Sequence, residues 1–167
     1  MNVNEILPKL KNPEKQSENV LFKKYLKQFT NTEVDIWVRE ITNLVEPNID
    51  CTQCGNCCKK LEPGLQFEEI EILAQQKQMD VMEFKKQYVD FDGDALFLKA
   101  KPCTFLQNTV CGIYANRPAS CADYPHLHQP NFKYKRNVWF NYTICPIVYV
   151  VVEKLKVKTA FKAESDF

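Results

Sequence analysis

Glycine is scarce: the chain has four in 167 residues, against an average share of about 7%. Glycine-rich phosphate loops are correspondingly missing, and neither G-x-G-x-x-G nor G-x-x-x-x-G-K-[ST] occurs. H-E-x-x-H and G-x-S-x-G are absent as well, which removes the common zinc-protease and serine-hydrolase signatures. Charge of one sign is not in excess. Twenty-two Lys+Arg stand against 21 Asp+Glu, a net +1, which gives no support to a nucleic-acid reader or a polybasic membrane binder. Long apolar runs are missing too. The longest, Cys145 to Val152, is far too short to span a bilayer. The start, Met1 to Pro8, shows no basic segment followed by an apolar one, so no secretory signal is visible. The expected compartment is the cytoplasm, where thiols stay reduced. In an exported chain, disulfides would be the alternative reading of its cysteines.

What is present fits one globular domain, with 45% hydrophobic and 26% charged residues. The first fifty residues contain no cysteine and look like a helical preface. Val20, Leu21, Tyr25 and Leu26 recur at helical spacing. Thr30 and Glu33 form a capping box ahead of a stripe made by Val34, Trp37, Val38, Ile41, Leu44 and Val45. Pro47 should stop that helix. Phe67, Ile70, Leu73 and Ala74 predict another helix. Met82, Phe84, Tyr88 and Val89 predict one more, entered through Asp80. Phe91 to Asp94 reads as a turn and Ala95 to Lys99 as a short strand. Residues flanking Gln107-Asn108 suggest a hairpin, and Pro118 suits the start of a short helix. Ile147 to Lys156 mixes β-branched residues with helix-end signals; the expectation is helix.

All eight cysteines fall between Cys51 and Cys145. The densest part is Cys51-Thr52-Gln53-Cys54-Gly55-Asn56-Cys57-Cys58. Two thiolates three residues apart on a tight turn can both reach one ion, at about 2.3 Å from sulfur for zinc. Backbone amides of the turn can stabilise the sulfur charge, and Gly55 supplies the freedom such a turn needs. A third cysteine at the same spacing also occurs in iron–sulfur ligand loops. Adjacent side chains usually diverge, so Cys57 and Cys58 could serve two centres or a bridged one. Cys103, Cys111, Cys121 and Cys145 complete two sets of four. The count allows two mononuclear sites, one cluster plus a second site, or one site plus a redox pair. His126 or His128 could complete a site, although eight thiols leave little need for imidazole. Arg117 could pair with a thiolate-rich centre or hold its own loop by a hydrogen bond. Lys133, Lys135 and Arg136, interleaved with Phe132, Tyr134, Trp139 and Phe140, imitate a nucleic-acid surface but read more simply as a solvated loop.

The ordered blocks Cys51-x2-Cys54-Gly55-x-Cys57-Cys58, Pro102-Cys103-x-Phe105-Leu106, Cys111-x-Ile113-Tyr114-x2-Arg117-Pro118-x2-Cys121 and Tyr124-Pro125 resemble the YkgJ-like cysteine-cluster family. The late Cys145-Pro146 looks like its bacterial members. The resemblance covers about residues 48–156. It implies a zinc- or iron-chelating CxxCxxCC domain, with Cys51, Cys54, Cys57, Cys58, Cys103, Cys111, Cys121 and Cys145 as ligands. Ala122 departs from the arginine the family often carries after its cysteine. A similar domain in flagellin lysine methylases makes protein modification the alternative role.

The expected fold is α+β, mostly α: a compact helical domain around a loop-rich cysteine core with a small hairpin. Residues 1–47 would form a helical extension packed on the core, 48–156 the cysteine-cluster domain and 157–167 a tail. The expected function is metal chelation by up to eight thiolates, with zinc or iron, an iron–sulfur cluster included, as cofactor. The alternative is an iron- or iron–sulfur-dependent oxidoreductase or protein-modifying enzyme. The expected partner is the metal ion, with no nucleic acid and no membrane.

Overall fold

The computed structural model describes residues 1–99 and 101–163; Ala100 and the last four residues of the predicted tail lie outside them. Helices dominate, joined by a three-stranded and a two-stranded antiparallel sheet, which makes the fold α+β and mostly α. The chain separates into two compact units, one formed by residues 1–50 with 125–167 and the other by 51–124. Among the described residues no single helix is long and apolar enough to cross a membrane.

The first unit is helical. It contains α1 (Val3–Ile6), α2 (Pro13–Tyr25) and α3 (Asn31–Val45) and, from the later segment, α9 (Arg136–Tyr142) and α10 (Pro146–Lys158). Asn12 caps α2 by accepting from the Glu14 amide, with Pro13 at the first helical position. Thr30 and Glu33 form the expected capping box on α3, and the helix ends at Val45 in a 3₁₀ turn that contains Pro47. Val34, Val38, Ile41 and Val45 make the buried seam of α3. Leu44 is 71% exposed. At 3.6 residues per turn, Trp37 stands about 70° and Leu44 about 90° off that seam, so the stripe read from sequence was too wide. On α2, Phe22 is buried, as is Leu26 just beyond the helix, whereas Val20 and Leu21 are exposed. Val20 points about 160° away from Phe22, which is the residue the periodicity missed.

The ambiguous 147–156 segment is helix. Ile147, Val148, Val151, Val152 and Leu155 of α10 are all buried, and α10 packs on α3. Burial on this scale, about 1.5–3 kcal/mol per large aliphatic side chain, outweighs the weak β preference of valine. One charge enters this core. Lys156 is only 4% exposed; its ammonium reaches Glu153 at 2.6 Å and Glu18 at 3.2 Å.

The second unit begins with α4 (Cys51–Cys54) and α5 (Asn56–Lys60), followed by β1 (Gly64–Leu65), α6 (Glu69–Gln76) and α7 (Val81–Tyr88). The hairpin β2 (Val89–Asp92) and β3 (Ala95–Leu98) turns through Gly93, with β3 central in the order β1-β3-β2. A second hairpin, β4 (Leu106–Gln107) with β5 (Val110–Cys111), leads to α8 (Ala119–Ala122). Asp80 caps α7 as expected. Leu65, Ile70, Leu73, Ala74, Phe84, Val89, Leu98, Phe105 and Ile113 form the unit's core, and Cys103 and Cys111 pack against it. Phe67 lies before α6 rather than in it and is exposed, with the Lys85 ammonium 4.2 Å from its ring centre.

Candidate metal centre

Seven of the eight cysteines belong to the second unit. The eight are present as thiols rather than disulfides. The segment 51–60 is two short helical turns broken at Gly55, whose φ of 56° is left-handed. A Cβ there would lie 2.8 Å from the Thr109 carbonyl oxygen. Gly55 therefore serves twice: it reverses the chain between the two cysteine pairs and lets the turn of the β4–β5 hairpin close on the backbone. The Gly55 amide donates to the Cys51 carbonyl at 3.1 Å, and the Leu61 amide to the Cys57 carbonyl at 2.8 Å.

A long-range backbone contact ties Cys103 to this segment, and others hold the elements that carry Cys111 and Cys121. The Cys103 amide donates to the Cys58 carbonyl at 2.8 Å. The hairpin pairs Leu106 with Cys111. Helix α8, which carries Cys121, is held by two contacts: its Ala119 amide donates to Glu69 Oε1 at 2.6 Å, and Ser120 Oγ donates to the Gly64 carbonyl at 2.6 Å. The other Glu69 oxygen accepts from the Gln66 amide at 2.7 Å, so one carboxylate fixes the start of α6 and the start of α8 together.

Burial and neighbouring charge shift several of these thiols. Burial pushes the Cys121 thiol up to about 12, and the charges of Cys58, Cys103 and Cys111 push the same way. Burial also raises Cys103, and Cys58 and Cys111 add to it. Burial raises Cys54 too, against a backbone amide that favours its thiolate. Cys58 is the exception, lowered to about 7 by its contact with Cys57, with its own backbone amide and Lys59 acting in the same sense against burial. The structure differs from the expectation that the adjacent pair diverges: the Cys57 and Cys58 sulfurs lie 4.0 Å apart. Two sulfurs bound to one zinc at about 2.3 Å would span about 3.8 Å across a tetrahedron edge.

The donor set thus suits a thiophilic ion such as zinc or iron: soft thiol ligands, most of them partly buried, three of which (Cys54, Cys103 and Cys121) are disfavoured by burial as lone anions. Among the described residues no three His, Cys, Asp or Glu side chains already stand at ligating distance. Cys51 is exposed. Cys145 lies in the first unit, buried at the N-cap of α10. His128 pairs with Glu46 at 2.9 Å, and both are in the first unit. Arg117 takes the loop-holding role: its Nη1 donates to the Tyr114 carbonyl at 2.7 Å, and its guanidinium lies 3.9 Å from the Tyr114 ring centre. Lys101 pairs with Glu62 at 2.8 Å. The cation that sequence reasoning missed is Lys77. It favours the Cys103 thiolate, donates to the Thr104 carbonyl at 2.9 Å and lies over the Phe105 ring. It sits 26 residues before Cys103, at the end of a different helix, where no local pattern would single it out.

Residues 50–146 match the family model named CxxCxxCC, described as a "putative zinc- or iron-chelating domain". The matched range contains every cysteine. No curated protein and no solved structure matches the chain.

Proposed function

The chain belongs to the CxxCxxCC family of zinc- or iron-chelating domains, and on that premise we propose that it binds the ion through a thiolate quartet of Cys58, Cys103, Cys111 and Cys121, flanked by Cys51, Cys54 and Cys57. The observation that carries this reading is the backbone bond of 2.8 Å that joins Cys103 to Cys58, beside the hairpin that carries Cys111; the charges of Cys58, Cys103 and Cys111 acting on Cys121 support it. Four thiolates form a closed structural site, and a bound ion supplies cross-linking and charge neutralisation there. The protein's part is to hold the donors. The Cys58–Cys103 backbone bond joins two ligand segments, the hairpin carries Cys111, and Glu69 seats the helix that carries Cys121. Ligands must lose their protons to bind, so uptake releases protons and draws the set together. Thiolate ligands of this kind require a thiol-reducing compartment.

The test is anaerobic purification followed by metal analysis and an optical spectrum. Zinc or iron bound with sulfur coordination supports the proposal, and a protein that retains neither ion overturns it. Cys58→Ser and Cys121→Ser should each lose the ion, whereas Cys145→Ser should retain it. Brown protein containing acid-labile sulfide would replace the mononuclear centre with an iron–sulfur cluster.

A further inference from the structure

A second site candidate lies in the first unit. Lys23, Lys133, Tyr134, Lys135, Arg136 and Trp139 line an open cavity of about 360 Å³. Four of these six are cationic and none is acidic. Gathering like charges on one wall raises the local positive potential, which attracts an anion. The unit as a whole carries fourteen Lys and Arg against eleven Asp and Glu.

The cations are not loose. Lys133 Nζ donates to the Phe29 carbonyl at 2.5 Å, and Lys135 Nζ donates to the carbonyls of His126 and Gln129 at 3.2 and 2.8 Å. The Lys23 ammonium stands 4.6 Å from the Trp139 ring centre. The Arg136 guanidinium makes no hydrogen bond or ion pair among the described residues. Nearby acids are already engaged. Glu33, within electrostatic reach of Lys133, accepts from Thr30, and Asp35 accepts from the amides of Asn131 and Phe132. Beside the cations, the Tyr134 ring is 71% exposed.

We propose that this cavity binds a small nucleoside phosphate, with Arg136 and Lys23 on the phosphate and Tyr134 stacking on the base. The guanidinium supplies a fork of donors that suits phosphate oxygens. An exposed aromatic face accepts any base at a useful stacking energy. The volume lies near the small end of small-molecule sites, about 300–1,000 Å³, which suits one nucleotide rather than a strand. The balanced overall charge also lacks the broad basic footprint of a polynucleotide binder.

The experiment titrates the full-length protein with AMP at low salt, by calorimetry and tryptophan fluorescence, beside adenosine and inorganic phosphate. AMP should bind saturably and weaken as salt rises, and adenosine and phosphate should each bind at least about tenfold more weakly. Arg136→Ala and Lys23→Ala, both at exposed positions, should each cost about tenfold in AMP affinity with unchanged melting temperature and metal content. Tyr134→Ala should bring AMP down to the affinity of phosphate. Failure to saturate by about 1 mM AMP, equal affinity for AMP and phosphate, or an unaffected Arg136→Ala would overturn the proposal. So would affinity for single-stranded oligonucleotides that rises with their length.

Discussion

At Gly55 a single residue carries two demands, a left-handed φ and a close approach of the Thr109 carbonyl. Alanine meets neither. Gly55→Ala should cost about 2 kcal/mol or more, read as a lower urea midpoint at constant slope, and should lower metal content in the same preparation. The Glu153 carboxyl is a second residue with more than one partner. Burial raises it, but Lys156, Lys15 and the Tyr142 hydroxyl outweigh burial and hold it below its usual value of 4.5. A carboxyl depressed in the folded state contributes stability above its unfolded pKa, and loses it as pH falls through the folded value. Acid titration should therefore begin to destabilise the first unit as pH drops below about 4.5. Glu153→Gln should flatten that limb, and an unchanged acid limb would show that other carboxylates dominate. The capping box, the Asp80 cap and Gly55 as a turn residue were legible in the sequence because each acts within a few residues. Phe22 and Lys77 were not. Phe22 follows two exposed apolar residues, Val20 and Leu21, that mask its spacing with Tyr25 and Leu26, and Lys77 meets Cys103 only through the packing of α6.

At the scale of elements, the deciding contact is Glu69 between α6 and α8. A charged acceptor on two backbone amides is worth more than a neutral one. Glu69→Ala should destabilise the second unit by about 2 kcal/mol. It should also loosen α8, which places Cys121, so weaker metal retention at equal protein concentration is the companion measurement. Retention as strong as that of the parent chain would mean that α8 is held without Glu69. Helix α10 teaches a different lesson at this scale. Its valines favour strand locally, yet Pro146 at the first position and an apolar surface on several sides suit a helix buried in a bundle. Periodicity located α3, α6 and α7 well, because one buried face leaves a mark in the sequence. It misjudged the edges, placing Leu44 and Phe67 inside, because a stripe's width depends on what packs against it.

At the scale of the whole molecule, the cysteine unit and the helical unit differ in what holds them. Residues 125–163 return to the N-terminal helices and bury α10 against α3. Residues 51–124 carry five short strands and five short helices around a smaller apolar core among the described residues. Small cores gain most from a cross-link. Removing the ion with a chelator should therefore raise hydrogen exchange across residues 51–124, with α10 still protected. Uniform deprotection of both units, or none, would refute a stabilising role for the ion in the second unit.

The sequence by itself determined the donor chemistry, the local helices and the family. Eight thiols at ordered spacings and a periodic apolar face are local properties that survive without coordinates. Only the tertiary structure decided that Cys103 is tied to the Cys58 backbone, that Cys57 and Cys58 converge, and that the last helix joins the first fifty residues. Those outcomes depend on contacts between segments far apart in the chain: a Cys103–Cys58 backbone bond, a Glu69 bridge to α8, and the burial of α10 on α3. Spacing along a chain does not encode them, because the closing of each loop is set by the whole core at once.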